Sequence, residues 1–248
     1  MKRQSLKLTA VCVAAVMVFT GCSGGQKKAS EPEKVQDQVQ DLDELYASAV
    51  GDAVFAEESE ISELVTLTEE DELVSFDDQG RVLLCTWHNY PDSYPEGETV
   101  TIEWGPVWTF TDKEMASHAE ELGKAEDPEL RLKQLIGFAP DSEHTTVTGF
   151  WVDPADVKRP AYQSSPEDGS METEFGEEPD EEFKEWFDEN ILWSYFYGTS
   201  PWTRLGYTYD WADNGTEYGM TEFIVGQDAQ VEVAFTETTQ EFLDGLSK

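Results

Sequence analysis

The sequence predicts an α+β fold, in which one or more antiparallel sheets pack with a few helices in a single globular domain behind a flexible tether. Short runs of β-branched and aromatic residues alternate with turn residues, and helix-capping patterns precede repeats of helical spacing. Eight Trp, nine Tyr and thirteen Phe are enough to form a core, which argues against the disorder that an acidic composition can indicate.

Charge is the strongest compositional feature. The 248 residues include 53 acidic and 16 basic side chains, for a formal net charge of −37. Coulomb repulsion from such a body opposes binding to nucleic acids and to anionic membrane surfaces. We therefore expect no nucleic-acid partner.

The beginning of the chain has an order of its own. A basic start at residues 2–7 precedes an apolar run at 8–19, which is shorter than the roughly 20 residues that a bilayer-spanning helix needs. Phe19-Thr-Gly-Cys22 then resembles the lipobox of bacterial lipoproteins, with Phe19 where Leu, Val or Ala is more usual. The alternative is an ordinary secretory signal in which Cys22 is incidental.

The lipoprotein resemblance implies cleavage before Cys22 and lipidation of its thiol and new amino group. It implies a signal peptide at 1–21, a lipid-anchored tether at 22–40 and an acidic, aromatic-rich α+β domain at 41–248. The polar residues 23–40 lack apolar periodicity, which predicts a flexible segment. The expected location is the extracytoplasmic face of the cell membrane, which the protein contacts through its N-terminal lipid.

The sequence of the first half of the domain predicts mostly strands. A short amphipathic helix at 42–49 precedes a hairpin formed by 72–76 and 81–88, whose turn gives Gly80 a positive φ. Residues 99–110 predict a strand interrupted at 105–106. Cys85, the one thiol outside residues 1–22, lies in an apolar run and is interpreted as buried.

Helices and strands then alternate. Thr111 and Glu114 form a capping-box pattern for a helix that ends at Gly123, and Asp127 precedes a proline that begins a helix ending at Gly137. Residues 145–152 predict a strand, 158–180 an exposed loop, and the segment from Pro179 a helix with an aromatic face. Strands at 203–211, 217–225 and 230–235 predict an antiparallel meander.

Three segments resemble stretches of exported bacterial proteins of unassigned function. They are 86–94 (TWHNYPDSY), 130–135 (LRLKQL) and 201–211 (PWTRLGYTYDW). The resemblance spans most of the predicted domain and implies neither a reaction nor a site.

Aromatic residues cluster around a predicted strand end and a proline-stiffened loop. Exposed rings at such a place can stack on sugars or grip peptides, and a stiff loop loses little entropy on binding. The alternative is that these rings complete the core. The predicted ligand-binding residues at this place are Trp87, His88, Tyr90, Asp92 and Tyr94. Trp202 and Arg204, where the predicted C-terminal sheet begins near another loop, form a second predicted patch.

One loop of the sequence contains candidate metal ligands. The three histidines show neither helical i, i+4 spacing nor an HExxH motif. Carboxylate and amide oxygens around a glycine are ligands that calcium accepts, although a hairpin turn explains the same residues. The candidate calcium ligands are Asp210, Asp213, Asn214 and Glu217, and no organic cofactor is predicted.

The sequence lacks familiar catalytic signatures. It contains neither G-x-S-x-G nor a phosphate-binding glycine loop, and among 53 acidic residues no pair for glycoside hydrolysis stands out. The preferred hypothesis is a cell-envelope lipoprotein that binds a glycan, peptide or protein through aromatic loops. The alternatives are a membrane-anchored hydrolase of extracellular glycans or peptides, and an accessory subunit of a membrane assembly.

Overall fold

The computed structural model describes the backbone of residues 32–246 and the side chains of residues 42–246, so the predicted signal peptide and Cys22 lie outside the described residues. The helices are α1 Pro32–Asp52, α2 Asp112–Ser117, α3 Ala119–Lys124, α4 Pro128–Leu135, α5 Glu181–Leu192 and α6 Thr239–Leu246. The strands are β1 Val82–His88, β2 Thr99–Thr101, β3 Val107–Thr111, β4 Thr146–Val152, β5 Val157–Lys158, β6 Tyr207–Tyr209, β7 Tyr218–Thr221, β8 Phe223–Val225 and β9 Gln230–Thr238.

Seven strands form one antiparallel sheet. Its order is β2-β9-β4-β1-β3-β8-β5, and β6 pairs with β7 in a separate two-stranded sheet. This architecture confirms the predicted α+β class. The predicted terminal meander is confirmed for its first two strands, because β6 pairs with β7. It is wrong for the last strand, because β8 pairs with β3 and β5 while β9 pairs with β4 and β2. Consecutive strands at the end of the chain therefore lie in distant parts of the sheet.

The two faces of the large sheet build two separate cores. Side chains alternate along a strand, so Val82 and Leu84 of β1 face one side while Cys85 and Trp87 face the other. The segment 65–74 covers the first face, and helices α2, α3, α4 and α6 cover the second. Burial raises the pKa of the Cys85 thiol well above its usual value, so this residue is a packed core group.

Local capping signals begin three helices where the sequence predicts them. The Thr111 hydroxyl accepts a hydrogen bond from the Glu114 amide, and Asp127 accepts one from Leu130 at 3.0 Å. Asp180 caps α5 in the same way. These side chains satisfy amides that have no partner inside the helix. The second half of the predicted capping box does not form, because the Glu114 carboxylate instead accepts from the Thr221 amide at 3.0 Å.

Two segments differ from the sequence prediction in secondary structure or in burial. Helix α1 begins at Pro32, inside the predicted tether, because proline suits the first helical position and the residues after it favour helices. The predicted exposed loop at 158–180 contains Arg159, which is fully buried. Its guanidinium donates to the carbonyls of Val65 and Asp168 and lies over the ring of Phe223.

A close approach of backbone segments fixes the position of the small sheet. A Cβ atom at Gly219 would lie 2.2 Å from the Leu135 carbonyl oxygen and 2.5 Å from that of Thr208. Glycine therefore lets β7 pack against the end of α4 and against β6. This contact brings the two-stranded sheet next to the helices that cover the large one.

Candidate functional site

An aromatic groove lies between the loop after β1 and the edge strand β2. Its volume is about 760 Å³, and Tyr90, Tyr94 and Trp104 contribute its three largest side chains. Trp104 is 97% exposed and Tyr90 is 68% exposed, whereas Tyr94 is half-buried. We call this feature, formed by residues 90–94 and 100–107, the aromatic groove.

The loop side of the groove is anchored by His88. Tyr90 donates its backbone N–H to Nδ1 of His88 at 3.0 Å, and Nε2 of the same ring lies 2.8 Å from the Thr148 hydroxyl. The His88 ring also meets Tyr94 edge-on at a centroid distance of 5.0 Å. Burial lowers the pKa of His88 to about 4, with a smaller contribution from His144, so the ring is neutral near pH 7.

Packing fixes Tyr94 from its other side as well. Its ring stacks edge-on against Phe150 at 4.9 Å, and its carbonyl accepts a hydrogen bond from the Thr236 hydroxyl at 2.7 Å. The wall that Tyr94 contributes is therefore held before any ligand arrives, which lowers the entropy cost of binding.

The opposite side of the groove is formed by β2 and the residues that follow it. Strand β2 is at one edge of the sheet, and among the described strands only β9 pairs with it. Gly105 has a φ of 106° and lies in the turn that carries the chain from Trp104 to the start of β3 at Val107. Backbone groups of β2 and the Trp104 ring thus line the same groove.

The structure distributes the seven predicted ligand-binding residues over different environments. Tyr90 and Tyr94 line the groove, His88 supports it, and Asp92 is exposed in the short 3₁₀ turn between them. Trp87 and Trp202 belong to the core because each indole N–H already donates to a buried partner, Thr239 and the Pro160 carbonyl respectively. These two tryptophans have little surface to offer to a ligand.

Arg204 is also a structural residue in this fold. It is buried, with a φ of 62°, and its guanidinium donates to the Tyr162 hydroxyl at 3.0 Å and to the Val54 carbonyl. These bonds attach the segment after α1 to the body of the domain. The predicted second aromatic patch around Trp202 and Arg204 therefore does not face solvent.

The predicted calcium loop separates into two parts. Asp210 is buried and accepts a bidentate pair of hydrogen bonds from Arg131, one of them 2.9 Å long, and another from Asn214. Its charge is compensated by the guanidinium rather than available to an ion. Asp213 is exposed at the tip of the hairpin, and Glu217 points elsewhere.

Glu217 instead forms an acidic pocket with Asp52 and Glu60. One carboxylate oxygen of each lies within 4.8 Å of the other two, and the pocket of about 660 Å³ beside them is also lined by Tyr209 and Trp211. Burial raises the pKa of Glu60 and of Glu217, and the neighbouring carboxylates raise both further. Tyr209 donates its hydroxyl to Asp52 at 2.8 Å. Three convergent oxygens of this kind are able to hold a hard cation or to share a proton.

Three residues of these two sites are not predicted by the sequence. Trp104 was hidden inside a predicted strand, although the Gly105-Pro106 interruption directly after it indicates an exposed turn. Asp52 and Glu60 lie more than 150 positions before Glu217. No local pattern connects them, and only the tertiary fold brings them together.

Comparisons of the chain with protein-family models, with curated proteins and with solved structures found no match. Within residues 32–246, none of the helices combines the length and the apolar character that a bilayer-spanning segment requires.

Proposed function

We propose that this chain is a cell-envelope lipoprotein, anchored through Cys22 on the extracytoplasmic face, whose aromatic groove binds a glycan. The observation that carries the binding proposal is the 97% exposed Trp104 at the edge of a groove that also contains Tyr90 and Tyr94. A large apolar ring left in water beside a preformed groove is typical of a binding surface.

The chemistry of the groove favours a neutral or cationic ligand with many hydroxyl groups. The apolar faces of sugar rings can lie against aromatic side chains, while hydroxyl groups can donate to Glu103 and exchange hydrogen bonds with Thr101. The net charge of −37 opposes polyanions such as nucleic acids or teichoic-acid-like polymers. Uncharged envelope polysaccharides are the class that meets both conditions.

Binding to a panel of neutral cell-wall oligosaccharides, measured by isothermal titration calorimetry on the purified protein, tests this proposal. We expect Trp104→Ala to weaken binding about tenfold or more, which corresponds to ~1.4 kcal/mol. Trp193→Ala is the matched control, because Trp193 is also exposed but lies directly after α5, outside the groove. Equal affinities of the two variants would reject the groove as the binding site.

The same calorimetry distinguishes glycans from extended peptides. Strand β2 is an open sheet edge, so a peptide could add to it as a further strand. Saturable binding of a peptide panel that is lost in Trp104→Ala, with no response to any oligosaccharide, would reject the glycan and assign the groove to a peptide partner.

A second candidate function uses the acidic pocket. Asp52, Glu60 and Glu217 converge beside Tyr209 and Trp211, and the pKa values of two of these carboxyl groups are raised, as a general acid requires. This arrangement supports the alternative of an anchored hydrolase of glycans. Release of reducing ends from the same panel, abolished by Glu217→Gln and retained in Asp213→Asn, would favour it over a binding module, whereas an inert panel would remove it.

The anchor is tested separately from the groove. Labelling cells with a fatty-acid analogue should mark the wild-type protein and leave Cys22→Ser unlabelled. We expect the variant to lose its membrane association. Labelling that is unchanged in Cys22→Ser would contradict lipidation at this residue.

A further inference from the structure

A small cavity on the helix-covered side of the sheet contains a carboxyl group without a partner. Glu222 follows β7 directly, and its backbone amide donates to the Gly206 carbonyl at 2.9 Å. Its side chain lines a cavity of about 220 Å³. Although the residue as a whole is partly exposed, its Oε2 atom is enclosed and has no hydrogen-bond partner in the described part of the chain.

Strand geometry explains why this carboxyl group faces the cavity. Thr221 and Phe223, its two neighbours, lie on the opposite side of the strand, where the Thr221 hydroxyl donates to the Glu114 carboxylate at 3.1 Å and Phe223 packs into the first core. Side chains alternate, so Glu222 shares its face with Ile224. Trp108 lies directly across from Ile224 in β3 and therefore stands beside Glu222.

The walls of the cavity are largely aromatic. Trp108, Phe138, Trp202 and Tyr209 surround Glu222, and the rings of Trp108 and Trp202 meet edge-on at 6.0 Å. The Trp202 indole N–H is already bonded to the Pro160 carbonyl, so it is not a donor for the cavity. The hydroxyl-bearing residues of the cavity wall are Ser194, Ser200 and Tyr209.

Neither protonation state satisfies Glu222 within the described structure. An ionised carboxylate would need a donor or a cation at Oε2, and no Lys, Arg or His of residues 42–246 forms an ion pair with it. A protonated carboxyl would need an acceptor there, which is equally absent among these residues. Burial raises the pKa of Glu222 to about 8, as expected for a carboxyl group with nothing to compensate its charge.

We propose that this cavity binds the protonated amino group of a small alkylamine, which donates to Oε2 of Glu222 while its carbon chain lies among the aromatic rings. An ammonium group supplies both the missing donor and the missing charge. Aromatic rings attract cations and also shield the alkyl chain from water. A metal ion fits less well, because Glu222 is the single carboxylate in the cavity lining and hard cations require several oxygen ligands.

The size of the cavity limits the ligand. Since a water molecule occupies about 30 Å³ of liquid, 220 Å³ corresponds to roughly seven such volumes. A four- or five-carbon amine fits this space, and so does the end of a lysine side chain inserted from outside. A free amine and a lysine side chain share the recognised chemistry, and the experiment must separate them.

The test titrates n-butylammonium chloride into the purified full chain near pH 8, where Glu222 ionises, with tryptophan fluorescence and chemical-shift changes as readouts. We expect saturable binding with a Kd on the order of 1 mM. n-Butanol, which has the same carbon chain without charge, should bind at least tenfold more weakly. A titration with Nα-acetyl-lysine amide, whose side-chain ammonium group is free, then shows whether the cavity also accepts a lysine side chain.

Two variants localise the effect. Glu222→Gln keeps the shape of the side chain but removes its charge, and we expect it to weaken butylammonium binding at least tenfold. Glu96→Gln, at an exposed carboxyl group outside this cavity, should leave the affinity unchanged. A lack of saturation, equal binding of butanol, or equal affinities of Glu222→Gln and the wild type would each overturn the proposal. These results do not involve Trp104, so they are independent of the glycan proposal.

Discussion

His88 accepts the backbone N–H of Tyr90 on Nδ1 at 3.0 Å, and this bond connects the end of a central strand to the loop that builds the aromatic groove. Because Nδ1 is the acceptor, the proton of the neutral ring is on Nε2, which donates to Thr148 at 2.8 Å. One uncharged imidazole thus fixes the position of the groove relative to the sheet.

This relationship predicts that acid destabilises the fold through His88. Its pKa in the folded protein is about 4, below the value of 6.5 for an exposed histidine, so the unfolded chain binds more protons between these values. The contribution is fully present above pH 6.5 and is lost as the pH falls towards 4, with a slope of up to about 1.4 kcal/mol per pH unit.

Urea unfolding at several pH values between 7 and 4 measures this slope. We expect His88→Gln to flatten the pH dependence of the free energy of unfolding relative to the wild type. The control Asn89→Ala changes an exposed side chain without a titratable group next to His88 and should retain the wild-type slope. Parallel curves for His88→Gln and the wild type would contradict a buried neutral imidazole.

Glu114 should have the opposite pH dependence. Burial raises its pKa to about 7, partly offset by hydrogen bonds from Thr221 and by the charge of Arg159. The folded protein therefore binds more protons than the unfolded chain between pH 4.5 and 7. The stability associated with Glu114 is present below pH 4.5 and is lost as the pH rises through 7. We expect Glu114→Gln to remove this decline, with Glu96→Gln as the exposed control, in the same urea series.

The groove tryptophan and a core tryptophan should differ in their effect on stability. Trp104→Ala removes a side chain that is 97% exposed, so we expect the free energy of unfolding to change by less than about 0.5 kcal/mol. Trp87→Ala opens a cavity next to Phe138 and leaves the Thr239 hydroxyl without its donor. The expected loss is about 3–5 kcal/mol. A large loss in Trp104→Ala, seen by thermal or urea unfolding, would mean that this ring packs against the protein.

Two acidic residues of the same hairpin should respond oppositely to neutralisation. Asp210→Asn breaks a buried pair with Arg131 and is expected to cost about 3 kcal/mol, because the guanidinium then keeps only the more exposed Glu121 as a carboxylate partner. Glu217→Gln relieves repulsion from Asp52 and Glu60, and we expect it to stabilise the fold by about 0.2–1 kcal/mol. Destabilisation of both variants would show that Glu217 also has a favourable partner.

Calcium provides a further test of the acidic pocket. A cation held by Asp52, Glu60 and Glu217 would raise the melting temperature relative to chelator, since binding to the folded state alone stabilises it by mass action. Such a rise should be specific for calcium over magnesium and absent in Glu217→Gln. Equal small rises with both ions, retained in that variant, would indicate screening of the acidic surface instead.

Local sequence signals were accurate where the relevant partner is nearby in the chain. Thr111, Asp127 and Asp180 each accept a hydrogen bond from an amide two or three residues later, and Gly80 has the positive φ that its turn requires. Such contacts depend on few residues, so a short pattern contains all of the information. Helix α6 was missed because its amphipathic pattern is short and follows directly on β9.

The sequence by itself determined the α+β class, the starts of α2, α4 and α5, and the presence of an aromatic loop next to a strand end. The tertiary structure decided which aromatic rings face water, because burial depends on residues that are distant in the chain: Trp87 and Trp202 are enclosed by other segments, while Trp104 is left outside. It also decided which carboxylates meet. Asp210 pairs with Arg131, Glu217 lies beside Asp52 and Glu60, and Glu222 faces a cavity. A sequence gives the number of charged groups but not which of them are neighbours, and the neighbours decide the pKa and the partners of each group.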